Sequence, residues 1–361
     1  MSAIRPGLPD PLVNLLGARW AMGVPVLGVA WVGVTAGFAL ADGTLAVAQA
    51  QWEGAASLQP REEGGVQLVP ATATPPPVMR AGVHTGPCLT VAAGDGVFIT
   101  GGIDGKLVRT GPDGTTETLA GDTGDGVRCV VASNDVVVYA IGTKVHRLGF
   151  GAVDLPGPAT ALSFNPAGTV AIAHPGGVTM WSATGNTRLL PRPGAHHALA
   201  WSADGQHLVT GTEAQAHAWQ LPAGQDMVLD GAGGAVMSVS YSNPGQFFAT
   251  SGASRVTCWA FDGTGVARSE CGVGSNVLVA KVACHPRRLV IAAGYDNGAV
   301  LLCQPGSADI LFIRAAGGGA ITTLAWSPDG AFLAFGAAGG EIGLIAFPEL
   351  LFRPAAQREA A

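Results

Sequence analysis

AWSPDGAFLAFGAAGGEIGLIAF (Ala325–Phe347) decides how this chain is read. An apolar segment ends on Trp326, turns through Ser-Pro-Asp-Gly, and is followed by two further apolar runs separated by a small Gly-rich turn. Pro presets φ in such a turn and Gly accepts a positive one. The same frame fits AWSADGQHLVTGTEAQAHAWQL (Ala200–Leu221), SYSNPGQFFATSGASRVTCWAF (Ser240–Phe261) and SFNPAGTVAIAHPGGVTMWSA (Ser163–Ala183). Looser copies begin at Ala283, Val91 and Val131, and another at Ala30 inside a very apolar N-terminus. Aligned on Trp31, Ala92, Ala132, Phe164, Trp201, Tyr241, Cys284 and Trp326, most units recur near the ~40–45 residues of a four-stranded propeller blade.

Within a unit the second segment is a continuous β-branched and aromatic run, as at Val136–Tyr139 and Phe332–Phe335, which predicts a strand covered on both faces. The third alternates, as in Val256-Thr257-Cys258-Trp259. Weaker segments (Thr115–Leu119, Thr187–Leu190, Asp226–Leu229, Ile310–Ile313) read as outer fourth strands. No stretch shows sustained helical spacing. The expectation is an all-β, closed propeller of four-stranded antiparallel blades, eight in number, with seven as the alternative if the N-terminal unit is discounted. The last unit lacks a fourth strand after it. Leu12–Leu16, in the lead-in 1–25, is expected to supply one, so that the two ends of the chain close the ring and no open sheet edge remains. The propeller then spans 26–350 and a flexible tail 351–361. Within the first unit, 51–79 forms a Pro-rich insertion in which Val66–Val69 is the expected outer strand and the remainder an exposed connection.

Composition narrows function. The 361 residues carry a net charge of −6, and the 19 Lys and Arg are scattered, so no basic face exists for nucleic acid. Charged residues make up 12% and apolar ones 48%, which suits side chains facing neighbouring blades and not a disordered chain. The six cysteines fall singly, without metal-knuckle or framework spacing, and Cys258, Cys284 and Cys303 read as small core residues in a reducing compartment. The uncharged run Trp20–Ala41, ending near Ala46-Val47-Ala48, is the one rival: a signal segment over 20–48 would export the protein. Its Pro25, its glycines and its match to the last unit favour strands, hence a cytoplasmic protein with no membrane partner.

These units resemble the WD-repeat family of β-propellers over about residues 26–347. The resemblance rests on the Ser-Pro-Asp-Gly turn at Ser327–Gly330, degraded at Ser202–Gly205. It rests too on a turn Asp at Asp42, Asp104 and Asp296, and on a closing Trp at Trp181, Trp219 and Trp259. Ser182, Gln220 and Ala260 stand where the family places Asp after that Trp, which marks a divergent member of the kind common in bacteria. The resemblance implies that these Asp and Trp residues are structural, locking turns and filling the wedge between blades.

Chemistry was sought along the same frame. No phosphate-binding GxxxxGK[ST] or nucleophile GxSxG motif occurs. His84 with Cys88, the pair His196-His197, and Cys284-His285 are the residues from which a metal site could be assembled at the channel, since equivalent loops of a propeller converge there. Internal hydrogen bonding by the histidines is the competing expectation, and no cofactor or metal is assigned. The leading functional expectation is a non-catalytic protein-interaction scaffold, monomeric outside a complex. Its binding face carries the outer-to-inner connections and the turns after the second strands, with His84, Arg128, His196, His197 and Lys281 exposed on it. The alternative is a propeller enzyme, or an exported or metal-handling propeller, with a site at the central channel.

Overall fold

A computed structural model of the chain describes residues 10–61, 65–121, 124–261 and 265–352. Eight four-stranded antiparallel sheets follow one another along it. Blade 1 holds Val26–Val32, Thr35–Leu40, Thr44–Gln49 and Met79–Gly82. Blade 8 holds Ile321–Trp326, Phe332–Ala337 and Glu341–Ala346 together with Gly17–Ala21 from the far end of the chain. Between them lie blades 2 (88–120), 3 (127–154), 4 (161–191), 5 (196–229), 6 (239–271) and 7 (279–314). The number of blades is eight, not seven.

Turn chemistry makes each first hairpin. In blade 8 the Ser327 hydroxyl donates to Asp329 Oδ1 at 2.6 Å and accepts from the Phe332 N–H, while Asp329 accepts from the Ala331 N–H. Ser202 and Asp204 repeat this network with Gln206 and His207 in blade 5. Gly330 is required twice over: its φ is +74°, and a Cβ there would lie 2.4 Å from the buried His285 ring of blade 7.

The anchor residues are inter-blade donors. Trp31 Nε1 donates to Ala325 O, Trp201 Nε1 to Ser163 O and Trp326 Nε1 to Ala283 O, in each case reaching the first strand of the preceding blade. Cys284 replaces Trp in blade 7 and its thiol reaches Ser240 O at 3.5 Å. Alternation in the third strands has a meaning the sequence reading did not give it. All of Val256, Thr257, Cys258 and Trp259 are buried, so the strand is not half-exposed. Val256 and Cys258 pack toward blade 7 and Trp259 toward blade 5, because both faces are covered by protein.

Two expectations about the closure need correction. Leu12–Leu16 is one turn of α-helix, and the closing strand is Gly17–Ala21, paired antiparallel with Ile345–Glu341. Leu12, Val13 and Leu16 are buried together against blades 7 and 8, a spacing that suits one helical face and not a strand. Gly17 allows the change of direction, since a Cβ there would meet Leu344 O at 2.6 Å and Val13 O at 2.8 Å. Likewise Val66–Val69 is a strand but not the outer strand of blade 1. It pairs with Ser57–Pro60 as a separate hairpin, and Met79–Gly82 takes the blade position. An outer strand needs only one covered face, so its sequence signal is weak. The insertion is no free connection, as Ala56 and Leu58 pack on the core of blades 7 and 8. Leu351 and Phe352 pack there too, Glu349–Leu351 forming a 3₁₀ turn, and 353–361 of the expected tail lies outside the described residues.

Candidate functional site

A first strand that begins at the channel mouth must leave the loop from the preceding blade and enter its sheet within a few residues. Six blades solve this with the same irregularity. The register shifts by one residue between Val26 and Gly28, Cys88 and Thr90, Val127 and Cys129, His196 and Ala198, Val279 and Lys281, and Ile321 and Thr323. The extra residue of such a bulge is unpaired and its side chain is re-aimed. The bulge residues are Leu27, Leu89, Arg128, His197, Ala280 and Thr322. One backbone position, repeated in six blades, thus carries leucine twice and otherwise Arg, His, Ala or Thr.

This ring is mixed in character. Leu27 is 38% exposed, and nearby turns and connections on the same face add Ile103 at 39%, Met237 at 46% and Leu278 at 45%. Arg128 is exposed and His197 half-buried. Lys281 follows the bulge in blade 7, at the position held by Gly28, Thr90, Cys129, Ala198 and Thr323 elsewhere. It is half-buried, and that burial draws its pKa below the usual lysine value.

Only Arg128 of the five expected face residues is exposed; His197 and Lys281 are half-buried, and His84 and His196 turn inward. The His84 side chain is fully buried, with Nδ1 3.0 Å from Asp104 Oδ1 and Nε2 3.0 Å from Thr100 Oγ1. A neutral ring protonated on Nδ1 satisfies both. Burial lowers the His84 pKa and outweighs the pull of Asp104. Burial works to raise the Asp104 carboxyl, but the N–H groups of Thr85 and Lys106 and the His84 ring overcome it and hold it below its ordinary value. His196 is also wholly buried, bonded to Thr210 Oγ1 at 3.0 Å and Arg192 O at 2.8 Å, and burial lowers its pKa. Both histidines were expected at the surface because they sit beside loops. The physical reason for the difference is that each reaches inward to a second-strand Thr at the same register, Thr100 or Thr210.

The structural residues divide similarly. Asp42 accepts from the N–H and hydroxyl of Thr44 and is paired with Arg80. Asp104 does the equivalent for Lys106. In GYDNG it is Asn297, not Asp296, that accepts from Ala299, two residues on; Asp296 is exposed. The shift by one residue follows from the φ of +88° at Gly298, which matches Gly43 and Gly105. Trp181, Trp219 and Trp259 all fill the wedge against the preceding blade. Trp259 Nε1 donates to Thr250 Oγ1 at 3.0 Å, whereas Trp181 Nε1 has no partner.

The residues proposed for a metal site go elsewhere. His285 is buried, accepts at Nδ1 from the N–H groups of Arg287 and Arg288, and lies 3.1 Å from Gly330 O through Nε2. Among the described residues no group of three or more His, Cys, Asp or Glu is arranged to hold a metal ion. No described helix is long and apolar enough to cross a membrane.

The bulges carry no direct signal in the sequence, because they become visible only when the register of two strands is known. The variable identity of the residue three or four positions before these anchors is the available hint.

The family model for the WD domain, G-beta repeat matches residues 311–343, from the outer strand of blade 7 into the third strand of blade 8. No curated protein matches the chain. Among solved structures, the computationally designed Ika8 protein is similar in fold, with a TM-score of 0.71, 17% identity, and coverage of 91% of this chain and 98% of that one. Its eight four-stranded blades and recurrent Ser-x-Asp-Gly turns, together with this one matched repeat, support a β-propeller of WD-repeat type.

Proposed function

We propose that this propeller is a non-catalytic scaffold that binds a protein partner across the channel mouth. The observation that carries the reading is the bulge ring: an invariant backbone position presenting Leu27, Leu89, Arg128, His197, Ala280 and Thr322 in turn. A frame this rigid orders its contact residues before binding, which lowers the entropic cost of association. Exposed apolar groups interspersed with basic ones suit a partner surface with an apolar centre and acidic rim. The step from propeller to scaffold is a fold-level analogy.

The same reading places the protein in the cytoplasm, as a monomer until it meets its partner. Residues 17–49 are consumed by the closing strand and the first three strands of blade 1, so cleavage after Ala48 would remove the clasp of the ring.

Affinity capture of the full chain at native salt tests this, using wild type, Leu27→Asp with Arg128→Glu, and Leu68→Asp in the separate Ser57–Pro60/Val66–Val69 hairpin, which is not part of the bulge ring. A stoichiometric partner retained by the wild type and Leu68→Asp, and lost by the double variant, is expected. No stoichiometric partner, or one lost only on changing Leu68, would refute the reading.

A further inference from the structure

We propose that Cys271 and Cys303 form a disulfide site that clasps blade 6 to blade 7. One contact recurs in the ring. In two wedges, the closing residue of a third strand packs in one cluster with a residue near the end of the preceding blade's outer strand. Leu190 packs with Trp219, and Leu229 with Trp259. Register places Cys271 at the position of Leu190 and Leu229, since it faces Val256 as they face Val178 and Ala216. Register also places Cys303 at the Trp position, opposite Ile291 as Trp219 stands opposite Leu208. Both partners of one repeated contact are therefore cysteine, at this wedge and not at the two Leu–Trp wedges.

Their sulfurs lie 3.1 Å apart, inside ordinary sulfur–sulfur contact, and both residues are almost wholly buried. Two small thiols replacing a leucine and an indole leave less surface in contact, and a covalent link would restore what the wedge loses in packing. The Cys258 and Cys303 thiols hydrogen-bond to Cys271 and Arg255 adds a positive field, which favours its thiolate. Cys271 ends its strand and is followed by the exposed stretch 273–276, so a small reagent reaches it by local opening of that end.

The step balances with a low-molecular-weight disulfide as oxidant. The Cys271 thiolate attacks one sulfur of that disulfide and expels a thiolate. Cys303 then gives up its proton and attacks the mixed disulfide at Cys271, expelling the second. Two protein thiols are oxidised, one small disulfide is reduced to two thiols, and the exchange runs backward under a reducing dithiol.

The full chain is incubated with oxidised glutathione, denatured without reductant, alkylated and mapped by mass spectrometry. The expected result is a Cys271–Cys303 cross-linked peptide that vanishes with dithiothreitol, with Cys88, Cys129, Cys258 and Cys284 alkylated. Cys258→Ser should keep the cross-link and Cys303→Ser should abolish it. The link would close a span of 32 residues, so the oxidised wild type should unfold at a higher temperature than the reduced. Six alkylated cysteines after oxidation, or a cross-link joining Cys258 to Cys271, would overturn the proposal; both readouts come from the wild type alone.

Discussion

Blades 2 and 4 are held by opposite means. Blade 2 has no tryptophan in its wedge, where Thr110 stands, but carries the chain Thr100–His84–Asp104, which ties its outer connection to its inner turn. Blade 4 has the tryptophan, Trp181, but Ile172 occupies the register of Thr100, so the indole N–H is left without an acceptor. Blade 6 shows one more link of the chain, Trp259 to Thr250. The wedge of blade 2 is thus closed through a polar chain and that of blade 4 through a large apolar ring.

The comparison predicts a hierarchy. Trp181→Ala removes a side chain only 2% exposed, on which the Arg147 guanidinium stacks, and should cost about 3–5 kcal/mol in denaturant unfolding. A loss below about 1 kcal/mol would show that the wedge is not what holds blade 4. Asp104→Ala strands the His84 ring and the N–H groups of Thr85 and Lys106, and should cost about 1–3 kcal/mol, read as a lower unfolding midpoint.

Acid should separate the two locks next. The buried His84 has a pKa below 6.5, so the folded state favours its neutral form. Its contribution is complete above 6.5 and declines as pH falls from there toward its folded value, because the unfolded chain binds the proton more readily. His174, His196, His217 and His285 are lowered by burial in the same direction. Asp104, lowered below 3.8, keeps its contribution throughout that window and loses it only at more acid pH. Unfolding midpoints measured between pH 7.5 and about 5 should fall for the wild type and fall less steeply for His84→Gln. Equal slopes would mean that other histidines carry the acid sensitivity.

The smallest effect sharpens the comparison. Ile172→Thr offers Trp181 the acceptor that Trp259 has in Thr250, at the cost of a buried methyl and of a methylene exchanged for the hydroxyl, and the new bond should hold the net loss to about 1–2 kcal/mol. Slower exchange of the Trp181 indole proton should report the new bond even so. Unchanged exchange would show that the register equivalence does not position the hydroxyl.

Much of this was legible along the chain. The Ser-x-Asp-Gly turns at Ser202 and Ser327 were recognisable because their hydrogen bonds are local, between residues two to five apart. The closing tryptophans were recognisable because one large side chain fills the wedge in three blades at the same place in the repeat. The candidate face was harder. Arg128 and His197 are on it, yet His84 and His196 resembled them in sequence and are interior, since a loop-adjacent histidine points outward or inward according to whether a threonine waits across the sheet. Asp296 and Asn297 were interchangeable on paper; only the positive φ of Gly298 selects Asn297.

By itself, the sequence determined that the chain is a wheel of repeated β-units, because each unit's turn chemistry and doubly covered second strand depend on neighbours a few residues away. Only the tertiary structure decided that Gly17–Ala21 closes the ring, that six first strands bulge at the mouth, and that Cys271 meets Cys303. Those depend on register between strands far apart in the chain, where a shift of one residue turns every side chain to the other face.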